Sequence, residues 1–428
     1  MKHPGRAARS AIDAITAHAG GGPRLIAQSA DVVIERGSGS YLYSATGTRL
    51  LDTITGYGVA SLGHSHPRWV EAVVSQASRL AHTPLHTTEL ATYLSALADV
   101  LPPAMDGIAL SSTGAEAVEM ALRLAQTERR RTGILTFTDS FHGKTAALRY
   151  TRAPSSEEAR SLAPPWLRTA PFPVCRDHDA VDYADCREPV ADAIAAIAAR
   201  EDLDEVAAVL VEPVLGTAGN IPPRRGLLAE LRKLCRERDW LLIYDESITG
   251  FGRTGELFAF ETFGVEPDIL ILSKGLGGGF PLSAVCAATE LWQGSALSAP
   301  SATSSSYGGN PLACVAGAVT LEIVTSPEFM EQVRCTAARA AERLRQLAQA
   351  SPRVARPRGI GLMLGFDLID PDSDALASAV ECEAIFRACR DRGALVAANV
   401  PRVRLSPPLT LTVTEADRLF DILLDVLG

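Results

Sequence analysis

Three short apolar runs, each ending at a polar residue, constrain the fold of this chain more than any other feature. Val206 to Val211 ends at Glu212, Trp240 to Tyr244 at Asp245, and Ile269 to Leu272 at Ser273, with Lys274 next. Each is too short for a helix and apolar throughout, the pattern of a strand covered on both faces. Such strands belong to a parallel sheet with helices on either side. Ligands of open α/β sheets lie beyond the carboxyl ends of the strands, so these polar residues are expected to share one crevice.

From about residue 90 helix and strand alternate, which predicts an α/β chain with crossover helices. Ala115 to Arg131 puts Val118, Ala121, Leu122 and Ala125 on one helical face and stops at Gly133. Ile134 to Thr138 then reads as a strand. Upstream, Ser40 to Tyr43 alternates, Ala45 to Thr48 turns and Arg49 to Asp52 resumes, predicting a hairpin-bearing arm. Beyond residue 311 the pattern predicts one long alanine-rich helix, a strand from Gly359 to Asp367, and a last helix from Thr414 to Leu427. The expected organisation is an arm and hairpin over 1–60 joining the small domain, a large domain over 61–310, and a small C-terminal domain over 311–428. Ala153 to Pro165 and Ser295 to Ser306, rich in proline, serine and alanine, mark surface loops or active-site flaps.

With 47% hydrophobic and 21% charged residues, the 428-residue chain is of ordinary globular type. Its net charge of −9 is spread through the sequence, which argues against a surface for nucleic acid or anionic membrane. Any anion site must therefore be local. The eight cysteines lack zinc-type spacing, and several lie in apolar runs such as Ala284 to Ala288, so buried free thiols and no metal centre are expected. Met1 to Gly22 lacks a secretory apolar core, and no stretch approaches the roughly 20 apolar residues of a membrane span. A cytoplasmic protein is the expectation.

Four segments carry chemistry. Asp268-Ile-Leu-Ile-Leu-Ser-Lys-Gly-Leu-Gly-Gly-Gly-Phe-Pro281 places Lys274 between a buried strand and a glycine-rich turn. Partial desolvation there lowers an ammonium pKa and frees the amine to attack an aldehyde. Leu241-Leu-Ile-Tyr-Asp-Glu-Ser-Ile248 sets Asp245 at a neighbouring strand end, one helix and one strand upstream of Lys274. Ser111-Ser-Thr-Gly-Ala-Glu-Ala117 opens an amphipathic helix, whose free N–H groups and dipole suit a phosphate dianion. Asp139-Ser-Phe-His-Gly-Lys-Thr145 offers Phe141 as a stacking surface. Each has a plainer reading alone: a solvated lysine, a capping aspartate, an ordinary helix cap, a packed Phe-His pair.

Together these segments resemble the class III aminotransferases (ornithine, 4-aminobutyrate and ω-amino acid type) of the type I pyridoxal-phosphate fold. The resemblance spans nearly the whole chain. It also takes in Gly39-Ser-Tyr-Leu-Tyr43, Leu62-Gly-His-Ser-His-Pro67, Glu212-Pro-Val, Ser305-Ser-Tyr-Gly-Gly-Asn-Pro-Leu-Ala-Cys314, Gly361-Leu-Met-Leu-Gly365 and Arg404-Leu-Ser-Pro-Pro408. It implies a large domain with a mostly parallel seven-stranded sheet, plus a smaller α+β domain. By resemblance, Lys274 forms a Schiff base with pyridoxal 5′-phosphate and Asp245 keeps the pyridine nitrogen protonated, making the ring an electron sink. Gly114 and Ala115 would hold the phosphate, Phe141 and His142 the ring, and Glu212 the surrounding hydrogen bonds. Ser305 and Ser306 would reach the phosphate of a second subunit, implying a homodimer with shared sites. Arg404, with Tyr57 and Lys144, would meet the substrate, the arginine as a bidentate carboxylate fork.

The sequence departs from the family in ways that bear on chemistry. Where Asp-Glu-Val-Gln is usual, this chain has Asp245-Glu-Ser-Ile248. Ser247 takes away an apolar wall beside the ring, and Ile248 lacks the amide that normally bonds the ring hydroxyl. Many members carry a glutamate that pairs with the carboxylate-binding arginine; here the stretch is Leu215-Gly-Thr-Ala-Gly219, which leaves Arg404 free for an acidic group. The implied reaction moves an amino group from an amino acid or amine donor to a keto acid or aldehyde acceptor, in ping-pong steps with Lys274 shuttling the proton. Racemases and decarboxylases of the same fold use the same lysine and aspartate, and a cofactor-binding protein without catalysis is a further alternative.

Overall fold

The structure, a computed structural model, describes residues 4–18, 32–151, 161–175, 181, 186–399 and 401–428. After a helix over Pro4–His18, strands β1 (Ile34–Ser38), β2 (Tyr41–Ser44) and β3 (Arg49–Asp52) run antiparallel, each to the next. The central sheet has seven strands: β4 (Gly107–Ser111), β5 (Gly133–Phe137), β6 (Leu167–Ala170), β7 (Val206–Val211), β8 (Leu241–Asp245), β9 (Ile269–Leu272) and β10 (Ser283–Ala287). Their spatial order is β4-β10-β9-β8-β7-β5-β6. Pairs from β9 through β6 are parallel, and β10 runs antiparallel to both its neighbours.

Every residue of β5, β7, β8, β9 and β10 is buried, because helices cover both faces. On one face Val118, Ala121, Leu122 and Ala125 of the Gly114–Arg129 helix share a core with Ala208, Leu210, Leu241, Ile243, Ile269 and Ile271. On the other, Leu227, Leu231 and Leu234 of the Leu227–Arg238 helix pack with Val209, Val211, Leu242, Tyr244, Leu270 and Leu272. Each large apolar side chain buried this way contributes about 1.5–3 kcal/mol. The shared strand direction brings the carboxyl ends of β4, β5, β7, β8 and β9 to one edge. That edge carries the site.

A third sheet holds β11 (Val354–Ile360), β12 (Met363–Leu368), β14 (Ala397–Asn399) and β15 (Arg402–Leu405), in the order β11-β12-β15-β14. The short β13 (Ala394–Leu395) pairs in parallel with β3, stitching the N-terminal strands to the C-terminal part of the chain.

Several local expectations are corrected. The run Gly359 to Asp367 is the end of one strand and the bulk of another, turning at Gly361 and Leu362. Gly361 has φ +57, and a Cβ there would collide with the Arg253 carbonyl. The single alanine-rich helix is two, Pro311–Val324 and Pro327–Ala350, bent by 69°. Ser326 caps the second by accepting from the Phe329 N–H at 3.2 Å, and Pro327 sits where no N–H is needed. The helix at the phosphate turn ends at Arg129 rather than Arg131, with Arg130 left-handed at φ 51. The Thr414 helix starts at Val413, capped by Thr412.

The expectation of free thiols throughout also fails. Cys175 and Cys186 form a disulfide, with Cα atoms 6.1 Å apart, and Cys335 is exposed. The bonded pair lies in the connection between β6 and the Ala191–Ala198 helix, not in an apolar run, so spacing gave no sign of it. Cys235, Cys286, Cys314, Cys382 and Cys389 are buried and free. The loop expected over Ala153 to Pro165 lies outside the described residues up to 160. No single helix among the described residues is long and apolar enough to cross a membrane.

Candidate active site

Lys274 follows β9 in a left-handed backbone conformation, φ 46, which turns its side chain into the crevice at the sheet edge. It is half-buried. Enclosure by protein lowers its ammonium pKa, and the Arg404 guanidinium adds to this, against the opposing charges of Asp245 and Glu212. An amine so poised is more readily neutral, and hence nucleophilic, than a surface lysine.

Asp245 is buried at the end of β8. Burial disfavours its charge, but the His142 hydrogen bond and charge, the Ser247 N–H and the Lys274 ammonium together hold its carboxyl below the usual range. His142 Nδ1 lies 2.8 Å from Asp245 Oδ2, and Ser247 N donates to Oδ1 at 3.1 Å. A carboxylate only accepts, so Nδ1 of His142 carries the proton. Nε2 faces Thr136 Oγ1 at 3.3 Å on β5.

Glu212, just beyond β7, binds backbone instead of charge. Its Oε1 accepts from Phe141 N at 2.8 Å and its Oε2 from Gly216 N at 3.0 Å. Burial raises its pKa, and Asp245 reinforces the rise, with His142 and the two N–H groups opposing it. Glu212 therefore ties the Phe141-His142 segment to the loop that follows β7.

The start of the Gly114–Arg129 helix opens on the same crevice. Thr113 and Glu116 cap it reciprocally: Thr113 Oγ1 accepts from Glu116 N at 3.3 Å, and Glu116 Oε2 accepts from Thr113 N at 2.8 Å. A Cβ at Gly114 would lie 3.3 Å from Ser273 Oγ and 3.4 Å from Ser247 Oγ. Glycine there keeps the helix mouth open between two hydroxyls. A phosphate fits this cradle, with backbone N–H groups on one side and serine hydroxyls on the other.

Arg404, on β15, approaches from the opposite wall. Its guanidinium lies 4.7 Å from the Tyr57 ring centroid, and Nη1 donates to the Gly216 carbonyl at 3.2 Å. The stretch expected to leave Arg404 free thus gives it a main-chain acceptor. Thr53, Asn220, Ile248 and Ser406 line the same pocket. Tyr57 stands on an unusual turn, in which Thr55, Gly56, Tyr57 and Gly58 all have positive φ (51, 61, 64 and 90). Left-handed backbone at a non-glycine residue costs roughly 1–2 kcal/mol, and β-branched Thr55 is a marked outlier.

The structure therefore brings Lys274, Asp245, His142, Glu212, Ser247, Ile248, Gly114, Ala115, Tyr57 and Arg404 around one opening. Two groups stand apart. Lys144 is exposed. Ser305 donates to Glu116 Oε1 at 3.2 Å, at the outer side of the helix start, and Ser306 is exposed beside it. Sequence reasoning put Ser273 in the crevice without giving it a role, and missed Gly216, Asn220 and the Asp52–His64 pair. Ser273 had a signal, since it immediately precedes the lysine at a strand end; a main-chain carbonyl such as that of Gly216 has none.

Comparison with known proteins decides the family. The model of the family described as Aminotransferase class-III matches residues 25–427. The chain belongs to the class III aminotransferases. This aminotransferase is 33% identical over 394 residues to the acetylornithine aminotransferase of Methanothermobacter thermautotrophicus, covering 92% of this chain and 93% of that protein. It is also 33% identical to the [LysW]-aminoadipate semialdehyde transaminase of Deinococcus radiodurans, over 91% of this chain and 84% of that one. Among solved structures, the PMP-bound form of an aminotransferase from Vibrio fluvialis superposes with a TM-score of 0.85 at 25% identity, covering 96% of both chains. The enzyme is accordingly a pyridoxal-phosphate-dependent transaminase of fold type I, acting on an amino donor and a keto acid.

Proposed function

We propose that Lys274 Nζ holds pyridoxal 5′-phosphate covalently, that Asp245 faces its ring nitrogen, and that Gly114, Ala115, Ser273 and Ser247 receive its phosphate. The observation carrying this reading is the meeting of a pKa-lowered amine, an ionised carboxylate and an open helix start at one sheet edge. When bound, the cofactor supplies an electron sink for the charge left as the substrate Cα–H bond breaks. The chain's own residues do the rest. Lys274 Nζ, once exchanged for the donor amine, would take the proton from the substrate Cα and deliver it to the cofactor carbon that had carried the aldehyde. His142 keeps Asp245 ionised and oriented, Glu212 fixes Phe141, and Ile248 with Tyr57 walls the pocket against water.

Arg404 would take a substrate carboxylate by a bidentate pair. The relatives' names, acetylornithine aminotransferase and [LysW]-aminoadipate semialdehyde transaminase, support a substrate with its reacting amine or aldehyde at one end and a carboxylate at the other. Replacing Arg404 with leucine removes a charge-assisted pair worth about 1.5–3 kcal/mol. Steady-state kinetics of R404L should show KM for such a substrate raised roughly ten- to a hundredfold, with kcat changed far less. An unchanged KM would refute the assignment.

The lowered Lys274 pKa sets a pH dependence. Only the neutral amine captures the cofactor, so the apoenzyme should take it up faster as pH rises through the depressed pKa of Lys274. The rise should come at lower pH than for a free lysine side chain. Rapid-mixing absorbance over a pH series measures it.

A homodimer in the cytoplasm completes the proposal. Leu85 (75% exposed) and Tyr307 (67% exposed) leave large apolar side chains in solvent, the Tyr307 ring 5.7 Å from that of His82, and such side chains suit cover by a second copy. Such packing would bring Ser305 and Ser306 toward the partner's phosphate. Five buried free thiols suit a reducing compartment, set against the one Cys175–Cys186 disulfide, which an oxidising compartment would favour. Sedimentation analysis tests the dimer, and fractionation of expressing cells the location.

A further inference from the structure

We infer that Asp52 and His64 are positioning residues that hold Tyr57 against Arg404 and so shape the carboxylate subsite. Asp52 is buried at the end of β3, and its carboxylate organises the left-handed turn that follows. Oδ1 accepts from both Ile54 N and Thr55 N at 2.9 Å, and Oδ2 pairs with His64 Nε2 at 2.8 Å. His64 is fixed in turn by its own backbone, which exchanges two bonds with Gly39, N to O at 2.8 Å and O from N at 2.9 Å. The Asp52 side chain thus takes up two N–H groups that a turn of consecutive positive φ values leaves without a helical or sheet partner.

The same turn is bound to the strand that carries Arg404. Thr55 Oγ1 donates to the Ser406 carbonyl at 2.8 Å, Ser406 N donates to the Thr53 carbonyl at 2.8 Å, and Thr53 Oγ1 donates to the Leu395 carbonyl at 2.6 Å. Ser406 lies two residues beyond Arg404. Tyr57 and Arg404 are therefore mounted on one hydrogen-bonded unit, and their 4.7 Å contact is set by the turn rather than by the tyrosine side chain alone. Strained backbone held by many converging bonds beside a binding pocket is the pattern of preorganisation. None of these ties reaches Lys274, Asp245 or the helix start at Gly114, so the clamp acts on the carboxylate end of the site.

This inference rests on the carboxylate role proposed for Arg404. The test is calorimetric titration of the cofactor-loaded enzyme with glutarate, a dicarboxylate with no amino or keto group, alongside the visible absorbance and affinity of the cofactor. Asp52→Ala should weaken glutarate binding at least tenfold while cofactor absorbance and affinity stay within twofold. Asp52→Asn, which keeps an acceptor for the two N–H groups, should restore binding to within threefold of wild type. If Asp52→Ala fails to fold, Thr55→Gly serves: glycine adopts the turn without strain but loses the tie to Ser406, and glutarate binding should weaken threefold or more. Equal glutarate affinity in a folded variant, or a parallel loss of cofactor affinity, overturns the clamp. No glutarate binding by the wild type would instead remove the carboxylate reading of Arg404 and the clamp with it.

Discussion

Lys274→Ala should lose the visible absorbance of covalently held cofactor and lower turnover by roughly 10⁴-fold, the span of a lost general base and nucleophile. Among the described residues no second lysine lies in the crevice to replace the amine. Lys144 is exposed outside the crevice, and Arg404, the other cation beside Lys274, keeps its proton at every working pH. The fold should tolerate the change, because the lysine is partly desolvated and its removal takes away a charge that burial already disfavours. Asp245 would lose one of the charges holding its pKa down but keep the larger contribution of His142. An added small primary amine should restore part of the proton transfer, which a collapsed site could not show. Absorbance and turnover both retained in the purified variant would end the assignment of Lys274.

How far the sequence foretold this arrangement depended on side-chain pattern. Strands buried on both faces cannot alternate, so Val206–Val211 and Ile269–Leu272 announced themselves by unbroken apolar runs, and the polar residue after each marked the site edge. Lys274, Asp245 and Glu212 were legible for that reason. The turn at Gly361 was hidden because apolar residues continue through it, and only the positive φ of one glycine separates two strands from one. The break between Val324 and Pro327 did carry a signal, Ser-Pro-Glu at a helix start, masked by the alanine-rich sequence on either side. The clamp at Asp52 was out of reach. Its meaning lies in left-handed backbone at Thr55 and Tyr57, which residue type disfavours, and in bonds to Leu395 and Ser406 far along the chain. Arg404 was recognised, but its acceptor is the carbonyl of Gly216, a group every residue has.

Asp245→Asn tests the other half of the site and should cost roughly 10²–10³ in kcat/KM, the range for losing one preorganised electrostatic partner. Asparagine keeps the shape and can still accept from His142 Nδ1, so packing is preserved while the charge and the acceptor for the Ser247 N–H are lost. The cofactor should remain attached to Lys274, separating this variant from Lys274→Ala. Because the Asp245 charge raises the Lys274 pKa, its removal should move cofactor capture by the apoenzyme to lower pH. His142→Leu approaches the same carboxylate from the other side. Asp245 is held ionised first of all by that histidine, against burial, so its pKa should rise in the variant, and the acid limb of the kcat/KM profile should move to higher pH. A His142→Leu profile superimposable on wild type would show that the ionisation of Asp245 does not govern turnover. An Asp245→Asn enzyme at full rate would show that the charge itself is dispensable.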